Sequence, residues 1–375
     1  MRKARKTFEK SLSAAEADVE AAGWQAVAGI LPVPRLLRRT SLGDRVVLAY
    51  EDVFATGRYT MLLGDVIAVA DRSALALPRV VALVDAVCDS LMVSVRKTGS
   101  TAPLSTCMPG LYADRIRPGG RVDERVLSDR LTVTSTSTGR PVRVRDLAGF
   151  SAIVNGVPML LDVPDAVLFA RDRLRGDRAV LAALTQGDPT EPNIAGDPLC
   201  WLDFQYAGCN GVAGDVAVLL WYLLGMGGWL VPRYQPDVFA RTLPLHLPPV
   251  ASPRLDQVVL DEEQRRVEIG YTWQVGAGRQ AAIGRLLDRL STDLGEAAGL
   301  APHTLLAQLR PFLLLRLLGV VPLAALTEDD RLLLLAKLAE AHSAAEAFTR
   351  TSPLPPTETA GLDDRTDDHD RVPVD

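Results

Sequence analysis

The chain has 375 residues, 48% of them hydrophobic and 23% charged, which suits one large or two medium globular domains. Its formal net charge of −5 argues against a general nucleic-acid binder, because such proteins present a basic face. The basic N-terminus precedes no apolar segment, and the apolar run over 311–326 is too short to span a bilayer. We therefore expect a cytoplasmic protein that binds neither nucleic acid nor membrane.

The first predicted elements are a helix and a hairpin. Residues 13–29 are rich in Ala and Glu and predict a helix. The prolines of LPVPRLL, at 31–37, favour an extended segment. Apolar residues on both sides of a turn at 41–44 then predict a β-hairpin that ends near Tyr50.

The rest of the chain is predicted to be mainly helical. Periodic apolar residues predict helices over 62–89, 123–130, 164–174, 281–294, 303–318 and 328–342. Two alternating segments, 131–144 and 258–273, predict β-hairpins. Residues 351–375 are rich in Pro, Thr and Asp and predict a disordered acidic tail.

The segment from 181 to 214 carries the strongest chemical signal: LAALTQGDPTEPNIAGDPLCWLDFQYAGCNGVAG. It places Asp188, Asn193 and Asp203 around a short predicted hairpin with its turn at Gly196 and Asp197. Asn193 and Asp203 supply the hard oxygen ligands that Mg²⁺ prefers, and such a metal bridges the phosphates of ATP. Asp188 is the predicted catalytic residue, which orients a substrate hydroxyl and accepts its proton.

GDPTEPN followed by WLDF resembles the catalytic loop and the metal-binding segment of the aminoglycoside phosphotransferase and choline kinase superfamily. These two segments are 186–193 and 202–205 here. The family pattern begins HGD, whereas this chain has Gln186 in place of the histidine, a residue that can still form hydrogen bonds within the loop. By the same resemblance, Asp215 opens a helix and has a structural role, binding loop amides.

The resemblance implies an α+β, protein-kinase-like fold with two lobes and the cofactors ATP and Mg²⁺. Residues 1–55 correspond to a reduced N-terminal lobe that binds nucleotide, with a hinge near 50–54. Residues 56–350 correspond to a mainly helical C-terminal lobe.

The family also places a strand lysine next to a helical glutamate, and binds adenine through the hinge backbone. The candidates for these places are Lys6, with Lys3 second, for the lysine; Glu20, with Glu16 one turn away, for the glutamate; and Glu51 and Val53 for the hinge. A charged N-terminus that lies in solvent is the alternative interpretation of the lysines.

The predicted function is that of an ATP-dependent small-molecule O-phosphotransferase, a kinase that acts on a hydroxyl of a sugar, aminocyclitol or amino alcohol. The main alternative is a nucleotide-binding pseudokinase or scaffold, favoured by the absence of a Gly-rich loop before Gly23 and by Gln186. A kinase of proteins and a metal-dependent hydrolase that uses Asp188 and Asp203 are further alternatives. The sequence leaves the acceptor and the oligomeric state open.

Overall fold

The computed structural model describes residues 7–55, 57, 59–127, 130–237, 253–299, 302–343, 349 and 352–353. Helices and sheets of two to four strands alternate along the chain, which confirms the predicted mixed α+β class. The described part opens with an antiparallel sheet of strand order β1-β3-β2. Its strands are β1 (Thr7–Ser13), β2 (Leu36–Leu42) and β3 (Arg45–Glu51).

Helix α1 (Ala14–Val27) directly follows β1. Ser13 caps the helix because its side chain accepts a hydrogen bond from the backbone N–H of Glu16, whose carboxylate accepts one from Ser13 in return. The helix expected over 13–29 and the hairpin expected at 41–44 are both confirmed. Gly43 has φ +62° and so provides the left-handed turn between β2 and β3. Strand β1 was not predicted.

The body of the protein is mainly helical. Its helices are α2 (Leu63–Ala70), α3 (Leu77–Thr98), α4 (Leu104–Cys107), α5 (Gly110–Ile116), α6 (Arg121–Arg125), α7 (Val163–Leu174), α8 (Val212–Leu223), α9 (Met226–Tyr234), α10 (Ala277–Arg289), α11 (Gly295–Ala298), α12 (Pro302–Gly319) and α13 (Glu328–Ser343). Helix α3 buries Val80, Leu83, Val84 and Val87, a spacing that forms one apolar stripe and faces α10. The core continues through α8 and α12, which pack on each other.

The strands of the body form small sheets. They are β4 (Met61–Leu62), β5 (Ser100–Pro103), β6 (Thr132–Thr134), β7 (Pro141–Arg143), β8 (Ser151–Val154), β9 (Val157–Met159), β10 (Ala179–Thr185), β11 (Ile194–Gly196), β12 (Cys200–Trp201), β13 (Gly208–Gly211), β14 (Arg254–Asp261), β15 (Arg266–Thr272), β16 (Gln274–Val275) and β17 (Ser352–Pro353). Strand β10 is the central strand of the three-stranded sheet β13-β10-β5 and leads into the predicted catalytic loop. The hairpin β11–β12 follows that loop, and β11 also pairs with β4.

Both hairpins predicted in the body are confirmed, as β6–β7 and β14–β15. Strand β15 also pairs in parallel with β8, which places the second hairpin in a four-stranded sheet. The helix predicted over 123–130 is instead the shorter α6, and residues 128–129 lie outside the described residues. Of the predicted tail, β17 pairs with β16, and 354–375 lie outside the described residues.

Among the described residues, no single helix is both long and apolar enough to cross a membrane. Helices α8 and α9 reach that length and hydropathy together, but they meet at an angle of 72°. Most of their residues are buried in this fold.

Candidate active site

The predicted catalytic loop leaves β10 through a tight turn at Gly187. This glycine has φ +86°, and a Cβ atom there would lie 2.0 Å from the carbonyl oxygen of Tyr206. Only glycine allows both this backbone angle and this close approach. The loop ends in a 3₁₀ turn over Glu191–Asn193, which a buried ion pair fixes to α10 through Arg279 Nη1 and Glu191 Oε1, 2.6 Å apart.

Gln186 joins this loop to the segment that carries Asp203. Its Oε1 accepts a hydrogen bond of 2.8 Å from the backbone N–H of Asp188. Its Nε2 donates to the carbonyl oxygens of Leu202, at 2.9 Å, and of Asp203. Glutamine performs this bridging because its amide offers an acceptor and two donors at once.

Asn193 ties the same segments together from the other side. Its Nδ2 donates to the carbonyl oxygen of Asp188 at 2.9 Å, which leaves Oδ1 as the atom that can ligate a metal. Its own carbonyl oxygen accepts a hydrogen bond from the backbone N–H of Leu202. The two segments that carry Asp188 and Asp203 are therefore adjacent. Burial raises the pKa of Asp188, and the charge of Asp203 raises it further.

Asp203 is at the centre of a contact with the N-terminal sheet. Its backbone is left-handed, with φ +61°, a conformation that is uncommon outside glycine and tends to occur at functional sites. Its Oδ1 lies 2.8 Å from Nζ of Lys10 on β1. The same ammonium lies 2.8 Å from Oε1 of Glu20 on α1, so one lysine bridges two carboxylates.

Glu20 is only 2% exposed, and its carboxylate also accepts hydrogen bonds from the hydroxyl of Tyr50 and the backbone N–H of Phe204. Burial by itself lowers the pKa of Lys10, but Asp203 and Glu20 together raise it above its ordinary value. Lys10 is therefore a firmly protonated cation at neutral pH.

Lys6, the lysine predicted to pair with Glu20, lies outside the described residues. The lysine that contacts Glu20 is Lys10, which sequence reasoning did not select. The available signal was local: Phe8, Lys10 and Leu12 alternate with polar residues immediately before the cap of α1, as expected of a strand.

The predicted hinge residues follow the end of β3. The backbone N–H of Glu51 donates to the carbonyl oxygen of Arg35, and its side chain pairs with the guanidinium of Arg35 at 2.9 Å. Val53 is buried in a small cluster with Leu62 and Ala195. Both residues thus lie where the N-terminal sheet joins the body of the protein.

Two further carboxylates support the loop or face it. Asp215, on the first turn of α8, accepts a hydrogen bond of 2.8 Å from the backbone N–H of Gly187, which is the loop-binding contact expected of it. Burial raises the pKa of Asp215 to about 7, against the hydrogen bonds from Gly187 and Thr185. Asp188 is 23% exposed, and its Oδ1 lies 3.4 Å from Nη1 of Arg316.

Asp203 and Asn193 offer the kinds of oxygen donor that a hard metal ion takes. The carboxylate of Asp203 already contacts one cation, the ammonium of Lys10, and Asn193 adds an amide oxygen. Within the described ranges, no three His, Cys, Asp or Glu side chains are grouped to hold a metal ion by themselves. The set suits a cation that takes its remaining ligands from phosphate or water, as Mg²⁺ does.

Comparisons with known proteins give a distant likeness. No protein-family model and no curated protein sequence matches the chain. Among solved structures, a glucosamine kinase in one crystal form shares 16% identity over 90% of this chain and 69% of its own, with a TM-score of 0.42. A second crystal form shares 15% identity over 88% and 65%, with a TM-score of 0.39. A likeness at this level assigns neither a family nor an activity to the chain.

Proposed function

We propose that this protein is an ATP-dependent phosphotransferase that acts on a hydroxyl group of a small molecule. One observation carries the proposal: Lys10, Glu20 and Asp203 meet at the join between the N-terminal sheet and the loop that carries Asp188 and Asn193. A strand lysine bridged to a helical glutamate, beside an aspartate that holds the metal, is the arrangement that protein kinases use for phosphoryl transfer.

The proposed arrangement is that of a protein-kinase-like fold with two lobes. Residues 1–55 would form the small lobe and residues 56–350 the large one, with the nucleotide between them and its adenine beside the backbone of Glu51 and Val53. The support for this division is that β3 ends at Glu51, and that the contact of Lys10 with Asp203 joins the two parts.

In this proposal Asp203 and Asn193 hold Mg²⁺, which neutralises charge on the phosphate oxygens of ATP. Lys10 binds a phosphate oxygen with its ammonium, while Glu20 holds that ammonium in place. Gln186 keeps the Asp188 and Asp203 segments at a fixed spacing, and phosphoryl transfer depends on such positioning more than on covalent chemistry.

Asp188 is the proposed general base. Its exposed face is open to an acceptor, while Arg316 and Arg115 stabilise its charged form against the effect of burial. Burial nonetheless leaves the pKa of Asp188 above that of an ordinary aspartate, so its carboxylate is a stronger base than one in water.

The test is nucleotide binding by the whole chain, followed by turnover. We expect Mg-ATP to raise the melting temperature by mass action, and Asp203→Asn to abolish the Mg²⁺-dependent part of that rise. Asparagine adopts the left-handed backbone readily, so this change removes the charge and little else. Asp172→Asn, at an exposed aspartate, is the matched control.

Asp188→Asn separates a kinase from a nucleotide-binding scaffold. We expect this variant to bind Mg-ATP like the parent but to lose about 10²–10⁴-fold in kcat, measured as ATP consumption with a panel of hydroxyl acceptors or with water. If the parent binds Mg-ATP but consumes none with any acceptor, the scaffold is the better description. If neither nucleotide nor Mg²⁺ changes the melting temperature, the proposal is wrong.

A further inference from the structure

Two arginines are buried beside Asp188, and among the described residues Asp188 is the carboxylate that lies next to them. Arg115 is on the last turn of α5 and Arg316 is near the end of α12, and each is 3% exposed. Within the described residues, Asp188 is the carboxylate that pairs with Arg316, and no ion pair involves Arg115. Two buried cations therefore share one anion.

The guanidinium of Arg115 lacks hydrogen-bond partners at two of its nitrogens. Nε and Nη1 are fully buried, and neither bonds to any described residue. Nε of Arg316 is likewise fully buried and bonds to no described residue. Burial, followed by the charge of Arg316, lowers the pKa of Arg115 to about 9, so its guanidinium is still cationic at pH 7. Aromatic rings face both groups, that of Tyr112 for Arg115 and those of Trp221 and Tyr222 for Arg316, but they leave these N–H donors without an acceptor. Buried donors normally have one, so the three nitrogens are candidates for contact with an anion.

The residues around these arginines pack closely on the side of the loop that carries Asp188. Helix α12 ends at Gly319, against which the side chain of Arg115 packs. Tyr206 covers the turn at Gly187 and lies against the start of α5 at Gly110. Asp188 is 23% exposed, so its carboxylate reaches solvent beside the buried Arg316.

A third arginine adds to the positive charge. Arg121, at the start of α6, donates from Nη1 to the carbonyl oxygen of Gly319 at 3.5 Å. Its charge is also among the causes, after burial and Arg316, that lower the pKa of Arg115. Arg115 thus lies near two further guanidinium groups, which favours binding of an anion there.

We propose that Arg115, with Arg316, binds an oxyanion of the acceptor, and that the acceptor is therefore an anionic hydroxy compound. A guanidinium presents parallel N–H donors that match a carboxylate or a phosphate. The bound oxyanion completes the charge balance of the buried arginines and directs a neighbouring hydroxyl toward Asp188. That the bound anion belongs to a phosphoryl acceptor rests on the proposed phosphotransferase function, whereas the anion site itself does not.

The first experiment measures anion binding by the full chain without nucleotide. Inorganic phosphate and acetate serve as the probes, each compared with sodium chloride at equal ionic strength, and the melting temperature is the readout. We expect a saturable rise with at least one of the two oxyanions. A melting temperature that responds to neither beyond the chloride effect would overturn the proposal without any variant.

Arg115→Met places the binding at this residue. We expect the variant to lose the oxyanion effect and, without ligand, to melt no lower than the parent, because the change removes an unpaired buried charge. A merely structural arginine would instead give a lower melting temperature. Arg117→Gln is the control, since that residue is 66% exposed just after the same helix, and it should respond like the parent.

Lys10→Gln separates this site from the proposed nucleotide site. We expect Lys10→Gln to keep the rise in melting temperature that the oxyanion causes. If Lys10→Gln loses this rise while Arg115→Met keeps it, the proposal is overturned. If Arg115→Met does not fold, Arg115→Lys replaces it. Lysine cannot make the two-pronged contact, so we expect about tenfold weaker binding, and an unchanged Kd would count against the site.

The second experiment compares acceptors in an ATP-consumption assay. Hydroxy acids and sugar phosphates should be turned over, neutral sugars and amino sugars should not, and Arg115→Met should raise KM by about 10²-fold or more. Efficient turnover of a neutral or amino sugar, unchanged by Arg115→Met, would refute this inference but leave the phosphotransferase intact. Oxyanion binding that needs Arg115, without any Mg-ATP binding, would support the anion site and refute the phosphotransferase.

Discussion

Replacing Lys10 with methionine should destabilise the protein by an amount that grows with pH. The ammonium of Lys10 lies 2.8 Å from Glu20 and 2.8 Å from Asp203. Asp203 is 45% exposed and is solvated by water once the lysine is gone, whereas Glu20 is 2% exposed and is not. The stability cost of Lys10→Met therefore arises mainly at Glu20.

The magnitude follows from what remains around that carboxylate. Losing one partner of a buried ion pair costs about 3–5 kcal/mol. Two hydrogen bonds, from Tyr50 and Phe204, still reach Glu20, so we expect the low end, about 3 kcal/mol, at pH 8. Glu20 can instead take up a proton, which costs about 1.4 kcal/mol per pH unit above its unfolded pKa of 4.5, so at pH 5 we expect a loss of about 1 kcal/mol.

The sign of the pH dependence is fixed by the direction of the pKa shift. Burial raises the pKa of Glu20 in the folded protein, and removing Lys10 raises it further because Lys10 is the charge that lowers it. A carboxyl group whose pKa is raised by folding stabilises the folded state. This stabilisation is complete below the pKa of the unfolded chain and is lost as the pH rises through the pKa of the folded protein. The variant should therefore resemble the parent most closely in acid.

Urea denaturation at pH 5 and pH 8 measures this effect. Lys97→Met, at an exposed lysine of α3, is the control and should change stability by less than about 0.5 kcal/mol at either pH. Lys10→Met combined with Glu20→Gln should recover most of the loss, because the double variant buries no charge. Equal losses at both pH values, or losses that simply add in the double variant, would refute this account of the contact.

Three other predictions concern the catalytic loop. Gly187→Ala should lower the free energy of unfolding by more than about 2 kcal/mol, because φ is +86° and the Cβ would meet the carbonyl oxygen of Tyr206; Gly284→Ala, in open space on α10, should cost nothing or stabilise by up to about 1 kcal/mol. Gln186→Ala should cost about 1–3 kcal/mol in urea denaturation and also lower kcat, because two hydrogen bonds between the site segments and one within the loop are lost. Unchanged turnover would show that Gln186 does not position the catalytic residues. The pKa of Asp215 is about 7 in the folded protein against 3.8 unfolded, so the free energy of unfolding should fall by at most about 4 kcal/mol as the pH rises across that interval. Asp215→Asn should flatten this dependence of stability on pH. An identical pH profile for the asparagine variant would rule out that residue as the cause.

The sequence by itself was informative wherever the signal is local. The helix from Ala14 to Val27 is fixed by a capping pair three residues apart, and the hairpin that follows is fixed by a glycine turn. The short hairpin between Asn193 and Asp203 was also predictable, because a turn at Gly196 and Asp197 separates its two strands. In each case the interactions that decide the structure lie within a few residues of one another.

The tertiary structure decided which distant charges meet. Asp203 contacts Lys10 across 193 positions of the chain, and Asp188 contacts Arg316 across 128. Nothing in the spacing along the chain indicates such pairs, because they depend on how α5, α12 and the N-terminal sheet pack against the loop. Arg115 shows the limit most clearly: in the sequence it is one arginine among many, and only its burial, with two nitrogens that no described residue bonds, makes it a candidate for binding an anion.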